Sequence, residues 1–374
     1  MLEKERYQMN MTSNKKAKNE GKFFAIDSKI YNKVTELKDI NVLVAYLVIA
    51  NGSGADNLTS SWSAQAIHKY TGISRKRASQ AISRLIEKKI ILKIKDGTKP
   101  QYKITEPKLR TYETKKLIWL PNEIITGVKS EQPPITKLRS SQDFLLIKLF
   151  IDLYSFHDLV EDQGVSREII HKHFDKTIIG SVDQYDICGF NFETKSVYFT
   201  DLTFDHQNED KSFNKFWNRL RKLELLGLIY WPIFLCESDS DGQGEYIHAL
   251  GYHGVTSKQE INDKSNKLAL LFKQFSFLLL EVLRDRGFYI KDELIDKSEI
   301  ILPILKQYDN ANLISVIRLR YRPKTKKTAC WYAQFSNNCD YHIEQLNSLI
   351  KKYSLLVKQE SNDFFENSDN KIFG

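Results

Sequence analysis

Cysteine is scarce and scattered. Cys188, Cys236, Cys330 and Cys339 stand far apart, without the paired spacing of a disulfide framework, as reduced thiols in a reducing compartment do. Long apolar runs are missing too. The stretch FSFLLL, residues 275–280, is bounded by Lys273 and Glu281 and is too short to cross a bilayer. The N-terminus lacks the apolar core of a signal peptide, so a cytoplasmic protein with no membrane partner is expected. No Gly-rich phosphate loop of the GxxxxGK[ST] kind and no nucleophile–base triad in a recognisable local context occur, which argues against an enzyme and implies no cofactor.

What is there is length and positive charge. With 374 residues the chain exceeds one compact core and suggests two or three domains. A formal charge of +9 points to an acidic partner, nucleic acid or an anionic surface. Residues 1–22 are polar, with few apolar side chains to bury, and read as a disordered tail.

From residue 40 the pattern sharpens. INVLVAYLVIA, residues 40–50, is apolar on every side and long enough for a buried helix, stopped by Asn51-Gly52-Ser53-Gly54. Ser63 caps a short second helix ending at Thr71-Gly72, and Ser74 caps a third. Along the third, Ala78, Ala81, Ile82, Leu85 and Ile86 recur at helical spacing, which leaves Lys76, Arg77, Gln80, Ser83 and Arg84 on the wet face. Residues 90–95 then alternate as a strand, Asp96-Gly97 makes a turn, and residues 101–104 return.

Helix, helix, turn, helix and hairpin, carried by ISRKRASQAISRLIEKKII, resembles the winged-helix domains of MarR-like regulators and of plasmid and phage replication initiators. Those domains commonly have glycine where RLIEKKII has Lys89, so Lys89 is asked to close the helix at positive φ. The resemblance implies a recognition helix in the major groove of duplex DNA. Arg77 and Arg84 suit guanine or phosphate, Gln80 suits adenine, and Ser83 lets the backbone approach. Arg75, Lys76 and Arg77 crowd the helix start, where cations oppose the macrodipole, so an external anion is the natural partner. Lys93, Lys95 and Lys99 surround the hairpin turn, within reach of flanking phosphates or the minor groove.

A second copy is expected further on. KLELLGLI, residues 222–229, follows RLIEKKII position by position, with Gly227 over Lys89. Upstream, Phe213, Phe216, Trp217, Leu220 and Leu223 make an apolar stripe opposite Asn214, Lys215, Asn218, Arg221 and Lys222, a second candidate DNA-binding set. Its earlier helices fall at residues 141–154 and 166–174, residues 175–210 form an insertion, and residues 230–252 form a wing. The acids at that wing tip suit protein better than phosphate.

The expected fold is therefore mainly α with small β-wings, an α+β chain of tandem winged helix-turn-helix domains and a C-terminal helical region. The tail of residues 1–22 precedes a first winged helix, 23–107. A linker, 108–139, lends LIWLP as a strand to a second winged helix, 140–255. A helical region, 256–357, holds a long helix over residues 260–286 and a Pro303-kinked one over 291–308, with an acidic tail at 358–374. Within it RLRYRPKTKK reads as a basic hairpin whose Arg318, Arg320, Arg322, Lys324, Lys326 and Lys327 meet a nucleic-acid backbone, with Trp331 and Tyr332 near. FSFLLLEVL must be hidden by the second winged helix or by a partner, so a homodimer or protein partner there is open.

Metal chemistry is not expected. His171-Lys172-His173 with Asp175 and His206 reads as surface histidines, on the argument that alternate residues do not share a helix face. Asp186 with Glu193-Thr194-Lys195 is the short pattern of a metal-dependent nuclease, frequent by chance, and Cys330, Cys339 and His342 lack a fourth ligand. The function expected is sequence-specific binding of double-stranded DNA, as a replication initiator or transcriptional regulator of a mobile element. The competing reading is a protein-interaction or DNA-recruitment subunit.

Overall fold

A computed structural model describes residues 23–54, 56–97, 99–106, 116–128, 131–158, 164–193, 209–237, 244–253, 263–322 and 326–369. The chain divides into two compact units, Met1–Phe144 and Leu145–Gly374.

In the first unit β1 (Phe23–Asp27) leads into α1 (Ser28–Thr35) and α2 (Ile40–Asn51). The carboxylate of Asp39 caps α2, accepting the Asn41 and Val42 amides at 2.9 and 3.2 Å. From Val42 to Asn51 every residue is buried, so α2 has no wet face and serves as the axle of the unit. Around it follow β2 (Thr59–Ser60), α3 (Ala64–Thr71), α4 (Arg75–Glu87), β3 (Ile91–Lys95) and β4 (Gln101–Ile104). The Ser63 and Ser74 hydroxyls accept the Gln65 and Arg77 amides, and Gly72 ends α3 at φ +68°. α4 lays Ala78, Ala81, Ile82 and Leu85 against α2 and α3. The strand order is β2-β4-β3, with β3 at an edge.

The remainder of this unit is β5 (Leu117–Pro121), α5 (Glu123–Thr126) and α6 (Pro134–Ser140). LIWLP does form a strand, but it pairs antiparallel with β1 inside the first unit rather than joining a second domain. Ile118 and Leu120 are buried there.

The second unit overturns the tandem, mainly helical expectation. α7 (Phe144–Ser155) precedes a long hairpin of β6 (His171–Val182) and β7 (Tyr185–Glu193), then α8 (Glu209–Leu225), β8 (Ile229–Cys236) and β9 (Tyr246–His253). After α9 (Asp263–Asp285) and α10 (Asp292–Lys297) come β10 (Ile300–Leu305), a 3-10 turn (Lys306–Tyr308), β11 (Asn312–Val316), β12 (Arg318–Leu319) and α11 (Lys326–Asp369). Seven strands make one antiparallel sheet in the order β10-β7-β6-β11-β8, with β9 on one edge of β8 and β12 continuing β11 along the other. Residues of β10 and of β8 and β9, at opposite ends of that order, line one cleft of about 320 Å³, so the sheet curls on itself. α9 fills the curl, burying Leu268, Leu271, Phe272, Phe275, Leu279, Val282 and Leu283 at helical spacing.

Each local correction has a physical reason. The expected helix over residues 166–174 is a turn and the start of β6, and the "insertion" from residue 175 is the centre of the sheet; VYFTDLTF lies outside the described residues. The expected wing strands exist as β8 and β9, but they pair within the large sheet and all of β8 is buried. Pro303 kinks no helix. It sits in β10, an end strand, where a missing N–H is tolerated. The buried side chains of FSFLLLEVL are covered by its own sheet and by α11, Phe277 staying exposed, and the acidic tail is helical as far as Asp369.

KLELLGLI misled because the likeness is local. At the end of α4 the Ile90 amide reaches the Leu85 carbonyl and the Lys89 amide that of Ile86; at the end of α8 Leu228 reaches Leu223 and Gly227 reaches Glu224. Both are the same helix-ending motif, with Lys89 at φ 55° and Gly227 at φ 66°. A helix stop followed by a strand is shared; the domains around it are not. Since a side chain in the left-handed region costs roughly 1 kcal/mol, Lys89→Gly should stabilise the first unit by about 0.5–1 kcal/mol in denaturant unfolding.

Candidate nucleic-acid interface

The solvent face of α4 is built by what its other face must bury. With Ala78, Ala81, Ile82 and Leu85 inside, Arg75, Lys76, Arg77, Ser79, Gln80, Ser83 and Arg84 are all exposed. No acidic side chain stands in the first turn, so three cations crowd the positive end of the helix dipole. From Lys76 to Ser83 the stripe rises roughly 10 Å, about three base-pair steps.

One residue of the set is otherwise engaged. The Arg84 guanidinium donates to the Asp39 carboxylate at 2.7 Å, the same carboxylate that caps α2. Arg84 thus ties α4 to α2. Both side chains remain partly exposed, so the pair contributes only about 0.5–1 kcal/mol. Arg84→Ala should lower the unfolding free energy of the first unit by that amount.

The hairpin carries the other cations. Lys95, Lys99 and Lys103 are exposed, while Lys93 pairs with Asp96 across the turn, and this carboxylate holds the Lys93 ammonium above its ordinary range. Gly97, at φ +108°, makes the turn possible. Two features of the hairpin were not anticipated: Lys103 as a free-facing cation on β4, and Leu92 and Ile94 exposed on β3.

No family model, curated protein or solved structure matches the chain.

The second and third basic sets fare differently. On α8, Phe216, Leu220 and Leu223 are buried, whereas Asn214, Lys215, Asn218 and Arg221 are exposed and Lys222 half-buried. This helix lies against β8 of the large sheet rather than beside a wing. The expected basic hairpin is not one: Arg318 is buried in β12 against the Phe234 ring, and Arg322 donates to the Tyr230 hydroxyl at 3.0 Å. Arg320 is half-buried, its guanidinium near the Tyr321 ring. Lys326 opens α11, with Trp331 and Tyr332 in the same helix, while Lys324 lies outside the described residues, as does the Lys327 side chain. Buried arginine stacked on aromatics reads in sequence like an exposed basic ribbon.

His171 and His173 lie on a strand, so they share a face, contrary to the helical argument. His171 meets the Arg167 carbonyl through Nδ1, and the His173 ring meets Asn312. Lys172, on the opposite face, is buried over the Trp231 ring at 4.2 Å, and burial pushes its ammonium down to about 8. Asp186 accepts from Ser181, and Thr194-Lys195 and His206 lie outside the described residues. Among the described residues no group of three metal-ligating side chains converges, and no helix is long and apolar enough to cross a membrane.

His248 gives the second unit a marked acid response. It stacks on Phe272 and lies beside His342, with ring centroids 4.5 and 4.9 Å away, and among the described residues neither ring nitrogen has a hydrogen-bond partner. Burial first, and the neighbouring His342 second, depress it to about 3. The unfolded chain binds this proton near pH 6.5 and the folded one does not, so the stabilisation is complete above 6.5 and lost as pH falls. Stability should decline by roughly 1.4 kcal/mol per pH unit below 6.5 from this group alone. His248→Phe should flatten that slope in denaturant titrations between pH 7 and 4, and an unchanged slope would refute the assignment.

Proposed function

We propose that the protein binds double-stranded DNA through its first unit, reading bases with α4 and holding flanking backbone with the β3–β4 hairpin. The observation that carries this is the exposed face of α4. Lys76, Arg77, Gln80 and Ser83 stand together there, with Arg75 exposed at the helix start, on a helix mounted on α2 and α3 and followed directly by a lysine-bearing hairpin. In element order and in the strand order β2-β4-β3 this resembles a winged helix. A replication initiator or transcriptional regulator of a mobile element uses such a reader in the same way.

The second unit favours a recruitment role beside it. It exposes Leu225, Leu270, Phe288, Tyr289 and Tyr341, and its arginines near residue 318 are engaged internally. Fluorescence anisotropy with random duplex, single-stranded DNA and the DNA flanking its own gene tests the reading. Preference for one flanking duplex over random sequence is expected, and its position separates origin from promoter. Equal affinity for every sequence would make the role architectural, and no binding at low salt would leave only the protein-interaction reading.

A further inference from the structure

Strand β3 is amphipathic in the unexpected sense. Ile91 is buried opposite Ile104, and Lys93 stands opposite the buried Tyr102, so Ile91 and Lys93 share the face that meets the core. Leu92 points the other way, and the register shift between Lys93 and Lys95 leaves Ile94 as an unpaired bulge residue beside it; the two are 49 % and 54 % exposed. Lys103, exposed, stands opposite Leu92, and exposed Lys95 and Lys99 flank the turn just beyond Ile94. An isolated surface leucine needs no explanation, but two exposed aliphatic side chains side by side, ringed by cations, do.

The surroundings decide what covers them. A second copy laid symmetrically on this face would bring Lys95, Lys99 and Lys103 against their own kind, and lysines on an edge strand oppose pairing along β3. A purely apolar protein surface would leave the three flanking lysines without anionic partners. Duplex DNA offers both chemistries at once, phosphates for the cations and the gap between adjacent base pairs for the aliphatics. Minor-groove proteins insert leucine or isoleucine there, unstack the step and bend the helix.

We propose that Leu92 and Ile94 are an apolar wedge that the hairpin inserts between base pairs in the minor groove, bending the duplex, while Lys95, Lys99 and Lys103 hold the flanking phosphates. This rests on the DNA-binding reading above and adds a deformation to it. It also assigns the hairpin a preference for easily unstacked pyrimidine–purine steps.

Energy transfer between dyes at the two ends of a duplex rich in TA steps reads the bend, and anisotropy of the same duplex reads binding. The full chain is expected to raise end-to-end transfer at saturation. Leu92→Ser with Ile94→Ser should still bind, within about tenfold at low salt, yet lose most of the transfer change. Leu92→Met with Ile94→Met should restore it. Both side chains are exposed, so the serine variant keeps its fold, which its melting curve reports. Binding with an unchanged bend in the serine variant overturns the wedge and leaves the DNA reading standing. No anisotropy change with the unaltered protein overturns both. Binding to phosphatidylserine–phosphatidylcholine vesicles that the serine variant loses, with the DNA bend intact, assigns the pair to an anionic membrane and overturns the wedge.

Discussion

Arg77→Glu is expected to cut duplex affinity by roughly two orders of magnitude without lowering the melting temperature. Arg77 is exposed on the first turn of α4, beyond the buried Ala78 and Ala81, so its side chain contributes nothing to packing. Its removal forfeits a bidentate contact of about 1–3 kcal/mol, and the new carboxylate faces phosphate. A total near 3 kcal/mol corresponds to roughly 150-fold. Gln80→Ala should instead relax preference at one base pair, and Lys95→Ala should weaken every sequence alike. Affinity unchanged by Arg77→Glu would remove α4 as the recognition helix.

The second large effect lies in the other unit. Phe275 is fully buried in the middle of α9, its ring edge-on to Tyr185 at 5.3 Å and near Tyr353 at 5.4 Å. It joins the curled sheet to α11. Phe275→Ala leaves a cavity that three separate elements line, and such substitutions cost about 3–5 kcal/mol. For a unit of this size that is a fall in melting temperature of roughly 10 °C. Phe277, two residues on, is 43 % exposed, and Phe277→Ala should cost far less. Equal losses from the two would mean that α9 does not bury the face described.

Within the first unit, α2, α3, α4 and the β3–β4 hairpin were legible because their signals are local, whereas the residues read as a linker, 108–139, hold β5, α5 and α6 of that same unit. Two serine caps, a glycine at φ +68°, an apolar stripe at helical spacing and an Asp-Gly turn each act within a few residues, and the structure uses them all. The second unit was not legible, because its sheet is assembled from distant partners. β10 pairs with β7 and β11 with both β6 and β8, which no local pattern announces. Strand β6 hides further, since HKHFDKTIIGSV puts a buried histidine and a buried lysine where strand periodicity wants aliphatics.

The candidate site shows the same division. Helical spacing placed Lys76, Arg77, Gln80, Ser83 and Arg84 on one exposed face, but nothing in RLIEKK betrays that Arg84 reaches back to Asp39. On β3 the alternation of Leu92 and Ile94 with Lys93 and Lys95 suggests burying the aliphatic pair. The fold buries Ile91 instead and turns that pair outward. Arg318 differs in the opposite direction: set with Arg320 and Arg322 it reads as part of an exposed basic hairpin, yet it is buried against the Phe234 ring.

The most direct measurement is the salt dependence of full-chain binding to random duplex, between about 50 and 200 mM, with and without Arg75→Ala, Lys76→Ala and Arg77→Ala together. If Arg75, Lys76, Arg77, Lys95, Lys99 and Lys103 each neutralise one phosphate, log affinity falls against log salt with a slope of about −5, and the triple variant brings it to about −3. No binding at the lowest salt, or a slope the triple variant leaves untouched, would contradict the assignment of α4 to DNA.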